Sequence, residues 1–302
     1  RGDYCMKKLL LILLAVMLCF GLVACATTDE PTDPAENPDE NQVATPENPV
    51  IRLSTTTSVN DSELLPYLQK EFEADTGYKL EITSAGTGAA IEKGTTGDAD
   101  VLLVHAKDSE EEFINDGYGV ERIPFMYNYF VIVGPAADPA GVKGLQEASE
   151  AFAAIAAAQA PFISRGDDSG THKAELKIWE TAGITPDPAV DTWYISAGAG
   201  MGAVINMASE QQAYTLTDKA TYLSHELKDT LELLMEESEE MKNTYSMIAI
   251  SPDKWPDTNI DGANAFIEWM LSDKATQLIN EYGVEEYGQQ LFFTIDDEAA
   301  AE

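Results

Sequence analysis

The chain has 302 residues and is strongly acidic, with 53 Asp and Glu against 18 Lys and Arg and a formal net charge of −35. Such a surface repels nucleic acid, so we exclude a nucleic-acid partner. Cys5 and Cys19 lie in segments that we expect to be removed, which leaves Cys25 as the single cysteine of the mature chain. One cysteine forms neither an internal disulfide nor a cysteine metal cluster.

The N-terminal segment is predicted to export the protein and then to anchor it to lipid. Two lysines follow Met6, and the apolar run over residues 9–24 is short for a membrane span. The run ends in Leu-Val-Ala before Cys25, which resembles the lipobox of bacterial lipoproteins. The resemblance implies cleavage before Cys25, a diacylglyceryl group on its sulfur, and a location on the outer face of the cytoplasmic membrane or in the periplasm. A plain secretory signal and an uncleaved anchor are the alternatives, and residues 1–5 precede the start that we expect at Met6.

Residues 26–49 are predicted to form an acidic, disordered tether. They contain five prolines and neither lysine nor arginine, and they offer little apolar area to bury. The folded part is therefore predicted to begin near Val50, and we expect it to be a monomer.

The predicted elements alternate between strands and helices along the chain. In chain order we predict a strand at 50–54, a helix at 64–76, a strand at 78–83, a helix at 89–93, a strand at 101–104, a helix at 109–116, a strand at 130–133, a helix at 148–158, a strand at 162–164, a helix at 172–182, a helix at 201–210, a strand at 214–217, a helix or turn at 221–223, an apolar segment at 231–234, a strand at 247–250, and helices at 264–271 and 274–282. This alternation indicates an α/β fold of mostly parallel sheets with helices on both faces.

Three of the predicted strands lead into turns made of small and hydroxyl-bearing residues. The turns are 54–58 (STTTS), 84–88 (SAGTG) and 165–171 (RGDDSGT). Ligands of open α/β sheets bind at the carboxyl ends of strands, and helix N-termini carry free N–H groups that attract anions. The pattern predicts one anion site shared by three helix N-termini. For any single turn, ordinary helix capping is the alternative.

Arg165 is the only cationic residue in these three turns. Its planar guanidinium group suits a tetrahedral oxyanion. We predict that Asp167 holds the guanidinium in place while Arg165 faces the ligand. The alternative is a surface ion pair of Arg165 with Asp167 or Asp168.

The motif R-x-D-x-S-G-T at 165–171 resembles the anion loop of phosphate-binding proteins, and the wider sequence resembles the tungstate-binding proteins of ABC importers. The wider resemblance rests on TTTS at 55–58, GDADVLLVHA at 97–106, MYNYFVIVGP at 126–135, SRGDDSGTH at 164–172, GMGAVINMA at 200–208, QAYTLTD at 212–218 and GVEEYGQQLF at 283–292. The motifs span nearly the whole folded part, and their order and spacing make the combination specific.

The resemblance implies a class II periplasmic-binding-protein fold with two α/β lobes joined by two crossing hinge strands. Each lobe would be a mixed, mostly parallel sheet flanked by helices. Lobe I would comprise residues 50–129 and 246–302, and lobe II residues 130–245. The residues implied to contact the anion are Thr56, Thr57, Ser58, Thr87, Arg165, Ser169, Gly170 and Thr171. Further candidates are Gly88, His105, His172, Gly200, Met201 and Gly202. The implied partner is an ABC permease in the cytoplasmic membrane.

His105 is predicted to discriminate against phosphate. Phosphate carries a proton near neutral pH and is recognised partly by an acceptor carboxylate, whereas tungstate, molybdate and sulfate require donors only. By comparison with phosphate-binding proteins, His105 stands where their acceptor Asp stands, and a histidine can donate instead. A histidine that merely packs against a neighbouring loop is the alternative. Tungstate and molybdate are nearly equal in size and charge, so sequence does not separate them.

An enzyme is the reading that the residues favour least. Ser169 and His172 are three positions apart at a helix start, which is a poor geometry for a nucleophile and its base. We predict no enzymatic activity, no cofactor and no metal other than tungsten within the oxyanion. Binders of molybdate, sulfate or phosphate and a sensory or adhesion lipoprotein of the same fold are the alternatives.

Overall fold

The computed structural model describes residues 45–295. The predicted signal peptide, the lipidation site at Cys25 and most of the tether lie outside the described residues, as do residues 296–302 of the predicted lobe I. Within residues 45–295, no helix is both long and apolar enough to cross a membrane.

The described part of the chain alternates between strands and helices, as the sequence predicts. The strands are β1 (Val50–Thr56), β2 (Lys79–Ala85), β3 (Val101–Val104), β4 (Ile123–Gly134), β5 (Phe162–Ser164), β6 (Tyr194–Ser196), β7 (Thr215–Asp218), β8 (Glu232–Met235), β9 (Lys242–Ala249) and β10 (Phe293–Thr294). The α-helices are α1 (Thr57–Asp61), α2 (Leu64–Thr76), α3 (Thr87–Thr96), α4 (Lys107–Asn115), α5 (Ala148–Ala158), α6 (Gly170–Thr181), α7 (Met201–Gln211), α8 (Lys219–Ser224), α9 (Ile260–Met270), α10 (Asp273–Glu281) and α11 (Val284–Tyr287).

The long strands β4 and β9 carry the sheet from one half of the molecule to the other. Along one path the strand order is β10-β4-β9-β3-β1-β2. The carboxyl-terminal half of β4 pairs instead with β7 and β8. Beyond β7, the short pair β5–β6 is joined to it by a hydrogen bond from the Ile163 N–H to the Tyr214 carbonyl, 2.9 Å. The chain therefore has the predicted two-lobed α/β fold.

The sheet is mixed, as the predicted fold class has it, although antiparallel pairings are more frequent than the alternation of strands and helices led us to expect. Strand β1 is parallel to β2 and β3, and β5 is parallel to β6. The pairings β3–β9, β4–β9, β4–β7, β4–β8 and β4–β10 are antiparallel. The cause is the connection between the lobes: β4 leads the chain out of lobe I and β9 leads it back, so the two run in opposite directions.

Each half of the sheet has an aromatic core of its own. In lobe I the ring of Phe72 on α2 meets Phe266 and Trp269 of α9 edge-on, with centroids 5.4 and 5.6 Å apart. In lobe II the ring of Trp179 lies 4.3 Å from Phe152, which joins α6 to α5. Burial of these large apolar rings is a main driving force for folding. The exact bounds of the lobes remain a prediction, since β4 and β9 belong to both.

Candidate functional site

The three predicted turns meet at one pocket. Its lining residues are Thr56, Thr57, Ser58, Ala85, Gly86, Thr87, His105, Arg165, Ser169, Gly170 and Thr171. All eight residues implied to contact the anion are in this set, together with His105. Ala85 and Gly86 also line the pocket, and the prediction did not include them although they belong to the second turn.

Strand register explains why the first two turns coincide. Strand β1 is parallel to β2, and Thr56 pairs with Ala85, so the two strands end at the same level of the sheet. Helices α1 and α3 begin at the next positions, with Thr56 and Gly86 as their N-cap residues. Neither cap supplies a side-chain hydrogen bond within residues 45–295. The first N–H groups of both helices are thus left for another acceptor, as an anion site requires.

The third turn approaches from lobe II and has a conventional cap. The Ser169 hydroxyl accepts a hydrogen bond from the His172 N–H, 3.2 Å, and so caps α6 in the ordinary way. The Ser169 oxygen therefore acts as an ordinary helix cap, which was the alternative to anion binding for a single turn. A hydroxyl both accepts and donates, so the one proton of Ser169 can be donated either to Asp167, whose pKa it lowers, or to a ligand.

Arg165 is buried at the pocket, with 5% of its surface exposed. Its Nε and Nη2 atoms donate to Asp167 Oδ2 at 3.1 and 2.6 Å, and Nη1 lies 3.4 Å from Thr171 Oγ1. Burial raises the pKa of Asp167, but hydrogen bonds from Ser169 and the charge of Arg165 outweigh it, so the net shift is downward. The charged carboxylate therefore holds one edge of the guanidinium, and Nη1 is directed toward a pocket residue.

Thr87 has a buried hydroxyl without a partner. The residue is 0% exposed, and its Oγ1 makes no hydrogen bond within the described part of the chain. A buried polar group normally has a partner, and one left without a partner costs about 1–3 kcal/mol. Since Thr87 lines the pocket at the first position of α3, this hydroxyl is a donor placed for an acceptor in the pocket.

His105 follows β3 and links the pocket to strand β9. Its Nε2 lies 3.0 Å from Ser58 Oγ, and its Nδ1 lies 2.7 Å from Asn243 Oδ1. Burial and the positive charge of Arg165 lower the pKa of His105 to about 4, against the opposing effect of Asn243. The ring is therefore neutral at pH 7. Asn243 was not predicted, since it is 138 positions away in sequence and no local pattern identifies it.

Five of the further candidates do not line the pocket. These are Gly88, His172, Gly200, Met201 and Gly202. The His172 Nδ1 accepts the Asp168 N–H at 3.1 Å within the third turn. The glycine-rich turn before α7 adjoins the same loop, because the Ala199 N–H donates to the Arg165 carbonyl at 3.1 Å. These residues support the loop or lie near it, and their predicted contact with the anion stays a prediction.

The chemistry of the lining is that of a donor site. Among the described residues that line the pocket, none is Asp or Glu, and Arg165 is the one with a fixed positive charge. The remainder are hydroxyl-bearing residues, small residues at helix starts and one neutral histidine. Such a set can surround a small anion with hydrogen bonds.

Comparison with known proteins agrees with this geometry. A family model for the PBP superfamily domain matches residues 43–274. The tungstate-binding protein TupA of Peptoclostridium acidaminophilum is 47% identical over 292 residues, which are 95% of this chain and 98% of that protein. The solved structure of the tungstate-binding protein TupA from Desulfovibrio alaskensis G20 has a TM-score of 0.74 and 41% identity, and covers 82% of this chain and 100% of that chain. A crystal structure of the tungstate ABC transporter from Geobacter sulfurreducens has a TM-score of 0.70 and 43% identity, over 77% of this chain and 98% of that chain. The chain therefore belongs to the PBP superfamily and, within it, to the family of the TupA tungstate-binding proteins.

Proposed function

We propose that this protein captures tungstate outside the cytoplasm and delivers it to an ABC permease. The anion would lie between the N-termini of α1, α3 and α6, bound by Arg165 and by the hydroxyl and N–H groups of the lining. Molybdate, sulfate and phosphate are the competing ligands, and a sensory or adhesion lipoprotein is the competing role.

The unpartnered hydroxyl of Thr87 is the observation that carries this proposal. A buried hydroxyl without an acceptor is destabilising. Of the buried side-chain groups without a partner in the described residues, Thr87 Oγ1 is the one that belongs to the pocket lining. An oxyanion in the pocket supplies that acceptor. The same anion satisfies the free N–H groups at the starts of α1 and α3, which their own caps leave open.

Charge favours a fully ionised tetrahedral anion over phosphate. Asp167 is engaged with Arg165, and no carboxylate is among the described lining residues. A monoprotonated phosphate needs an acceptor for its proton, whereas tungstate, molybdate and sulfate need none. The identity of the relatives favours tungstate among these three.

The donor set is large enough for tight binding. A hydrogen bond to a charged group contributes about 1.5–3 kcal/mol. About six to eight such donors supply the roughly 12 kcal/mol of a nanomolar complex after the cost of association is subtracted.

The lipid anchor at Cys25 and most of the tether fall outside the described residues. Lipid attached at Cys25 would hold the protein at the membrane, and residues 26–49 would let the folded part reach the permease as a monomer. Replacing Cys25 with Ser should release the protein from the membrane fraction. If Cys25→Ser protein stays in the membrane fraction, the anchor lies elsewhere.

The direct test is calorimetric titration of the purified protein with tungstate, molybdate, sulfate and phosphate. We expect tight tungstate binding that is lost in Arg165→Ala, because the buried guanidinium is the only charged donor of the lining. Lys173→Ala is the matched control, since Lys173 follows the same loop but is not among the lining residues. Folded protein that binds none of the four anions would refute the transport role and favour the sensory or adhesion alternative.

A further inference from the structure

A chain of hydrogen bonds runs from the two crossing strands to the anion pocket. Asn128 on β4 and Asn243 on β9 are paired in the sheet register, and Asn243 Nδ2 donates to Asn128 Oδ1 at 2.8 Å. Asn243 Oδ1 is 2.7 Å from His105 Nδ1. On the other side of the ring, His105 Nε2 is 3.0 Å from the hydroxyl of Ser58. The pocket hydroxyl is thus connected to the strands that join the lobes.

The direction of each bond in this chain is determined. Because the Asn243 amide nitrogen is used by Asn128, its oxygen faces His105, and Nδ1 must carry the ring proton. In the neutral ring Nε2 is then a pure acceptor, so the Ser58 hydroxyl donates to it. Having given its only proton to Nε2, Ser58 can only accept from Thr56 Oγ1, 3.1 Å away, and from the Tyr245 hydroxyl, 3.3 Å away. With a neutral His105, the Ser58 hydroxyl has no proton left for the pocket, and Thr56 cannot donate to the pocket while it donates to Ser58.

Protonation of Nε2 reverses this arrangement. The imidazolium donates at both nitrogens, so Nδ1 keeps its bond to Asn243 and Nε2 donates to Ser58. The Ser58 proton is then released either to an anion or to Thr56, whose own proton turns to the anion. One proton taken from solvent therefore adds one donor to the anion site.

We propose that His105 is a positioning residue that takes up a proton when the oxyanion binds and so turns the Ser58–Thr56 hydroxyl pair toward it. This inference rests on the proposed function, because it needs an anion in the pocket. It assigns His105 a part in binding through Ser58 and not as a direct ligand.

The charged groups around His105 are consistent with proton uptake when an anion binds. Burial first, and then the positive charge of Arg165, keep the pKa of the free ring at about 4. Two residues of other elements pack against the His105 ring, and neither is charged. Tyr245 is a neutral phenol whose ring centroid is 4.9 Å from that of His105, and Gly170 has no side chain. Glu110, which accepts the Ala106 N–H beside the ring, is paired with Arg122. A dianion in the pocket offsets Arg165, which raises the pKa of His105 in the complex.

The pKa of His105 determines the direction in which the affinity for the anion changes with pH. Since the bound pKa is higher than the free pKa, affinity is greatest at low pH and falls as pH rises through the bound pKa, by up to about tenfold per pH unit. Asp167 does not supply this dependence, because its pKa is shifted downward, away from neutrality.

The test is titration with sodium tungstate at pH 6 and at pH 8, at fixed ionic strength and in buffers of low and high ionisation enthalpy. The difference in heat between buffers gives the protons taken up per anion, and we expect a net uptake that is larger at pH 6 than at pH 8. In His105→Gln, whose amide can still donate to Ser58, tungstate should bind without proton uptake. His225→Gln is the matched control and should keep the uptake, because His225 is not among the residues that line the pocket.

Nitrogen NMR of the imidazoles gives an independent measurement on the unmodified protein. At pH 6 we expect His105 to be protonated only at Nδ1 in the free form, and a larger share of it to be protonated at both nitrogens with tungstate. Tungstate binding without proton uptake, uptake that survives His105→Gln, or a free ring protonated at Nε2 would each overturn the inference and leave the proposed function intact. Absence of tungstate binding by the unmodified protein would overturn the proposed function as well.

Discussion

Gly170 of lobe II packs directly on the ring of His105 of lobe I. A Cβ added at Gly170 would lie 2.1 Å from His105 Cε1 and 2.8 Å from both ring nitrogens. The ring itself is held by Asn243 on one side and by Ser58 on the other. The anion loop can therefore approach the first two turns this closely only with glycine at position 170.

This contact predicts that Gly170→Ala weakens anion binding. The added methyl group must push the loop and the histidine apart, and overpacking of this kind costs about 1–3 kcal/mol. We expect tungstate affinity to fall roughly 5- to 150-fold by calorimetry. Gly88→Ala is the control, because a Cβ there meets Asp168 Oδ2 at an ordinary 3.6 Å. Equal affinity of Gly170→Ala and the unmodified protein would mean that the pocket does not close on its ligand at this contact.

Thr87→Val should separate binding from stability. The variant keeps the shape of the side chain and removes a hydroxyl that has no partner in the described structure. We expect the melting temperature without ligand to stay the same or rise, because a buried unsatisfied group is removed. Tungstate affinity should fall about 10- to 150-fold, the range of one hydrogen bond to a charged group.

Thr55→Val is the matched control for this prediction. Thr55 is also buried, but its hydroxyl donates to the Leu103 carbonyl at 2.8 Å and it does not line the pocket. We expect the opposite pattern, with a lower melting temperature and unchanged affinity. If Thr87→Val instead destabilised the protein and bound tungstate normally, the Thr87 hydroxyl of the unmodified protein would have a structural partner and would not need an anion as its acceptor.

The sequence revealed the turns that line the pocket more completely than it revealed the pairing of the strands. The turns at 54–58, 84–88 and 165–171 are local patterns, and the parallel register of β1 and β2 brings the first two together whatever the rest of the fold does. The direction of β4 and β9 is set by contacts between distant segments, so alternation of strands and helices did not reveal their antiparallel pairing. For the same reason the sequence missed Asn128 and Asn243, which meet across that pairing.

Short elements were also missed, for a different physical reason. Strand β6 has three residues, of which only Tyr194 is buried, and β10 has two half-buried residues. Neither strand is long enough to show the alternation of apolar and polar residues that identifies a strand in sequence. Strand β4 begins at Ile123 and not near residue 130, because its first half mixes buried and half-buried side chains.

Asp167→Asn tests whether the carboxylate orients the arginine. Asp167 Oδ2 accepts two hydrogen bonds from the guanidinium and Oδ1 accepts the Ser169 N–H. An amide in its place carries no charge and has one oxygen only, so its nitrogen would face either the guanidinium or the Ser169 N–H. We expect tungstate affinity to fall by about tenfold or more, in line with loss of a buried charged hydrogen bond. The neighbouring Asp168 is 78% exposed in its side chain, so Asp168→Asn should bind tungstate as tightly as the unmodified protein or slightly more tightly. Equal effects of the two variants on affinity would indicate a general charge effect and not an orienting role.

Glu175 should make stability depend on pH near neutrality. Burial raises its pKa to about 7, against hydrogen bonds to Oε1 from Tyr194 at 2.8 Å and Trp179 at 3.2 Å. Since the folded state holds the proton more tightly than the unfolded state, this carboxyl stabilises the fold fully below about pH 4.5. The contribution is lost as pH rises to about 7, in total roughly 3 kcal/mol, and stays constant above that.

Glu175→Gln is expected to remove this dependence, because the Gln oxygen can accept both hydrogen bonds and the side chain carries no charge. Denaturant unfolding at pH 5 and pH 8 measures it, and Glu180→Gln serves as control, since Glu180 is exposed on the same helix. The free energy of unfolding should decrease less between the two pH values in Glu175→Gln than in the unmodified protein or the control. Parallel decreases in all three proteins would mean that Glu175 ionises near its ordinary pKa. The aromatic core next to Glu175 would then admit water.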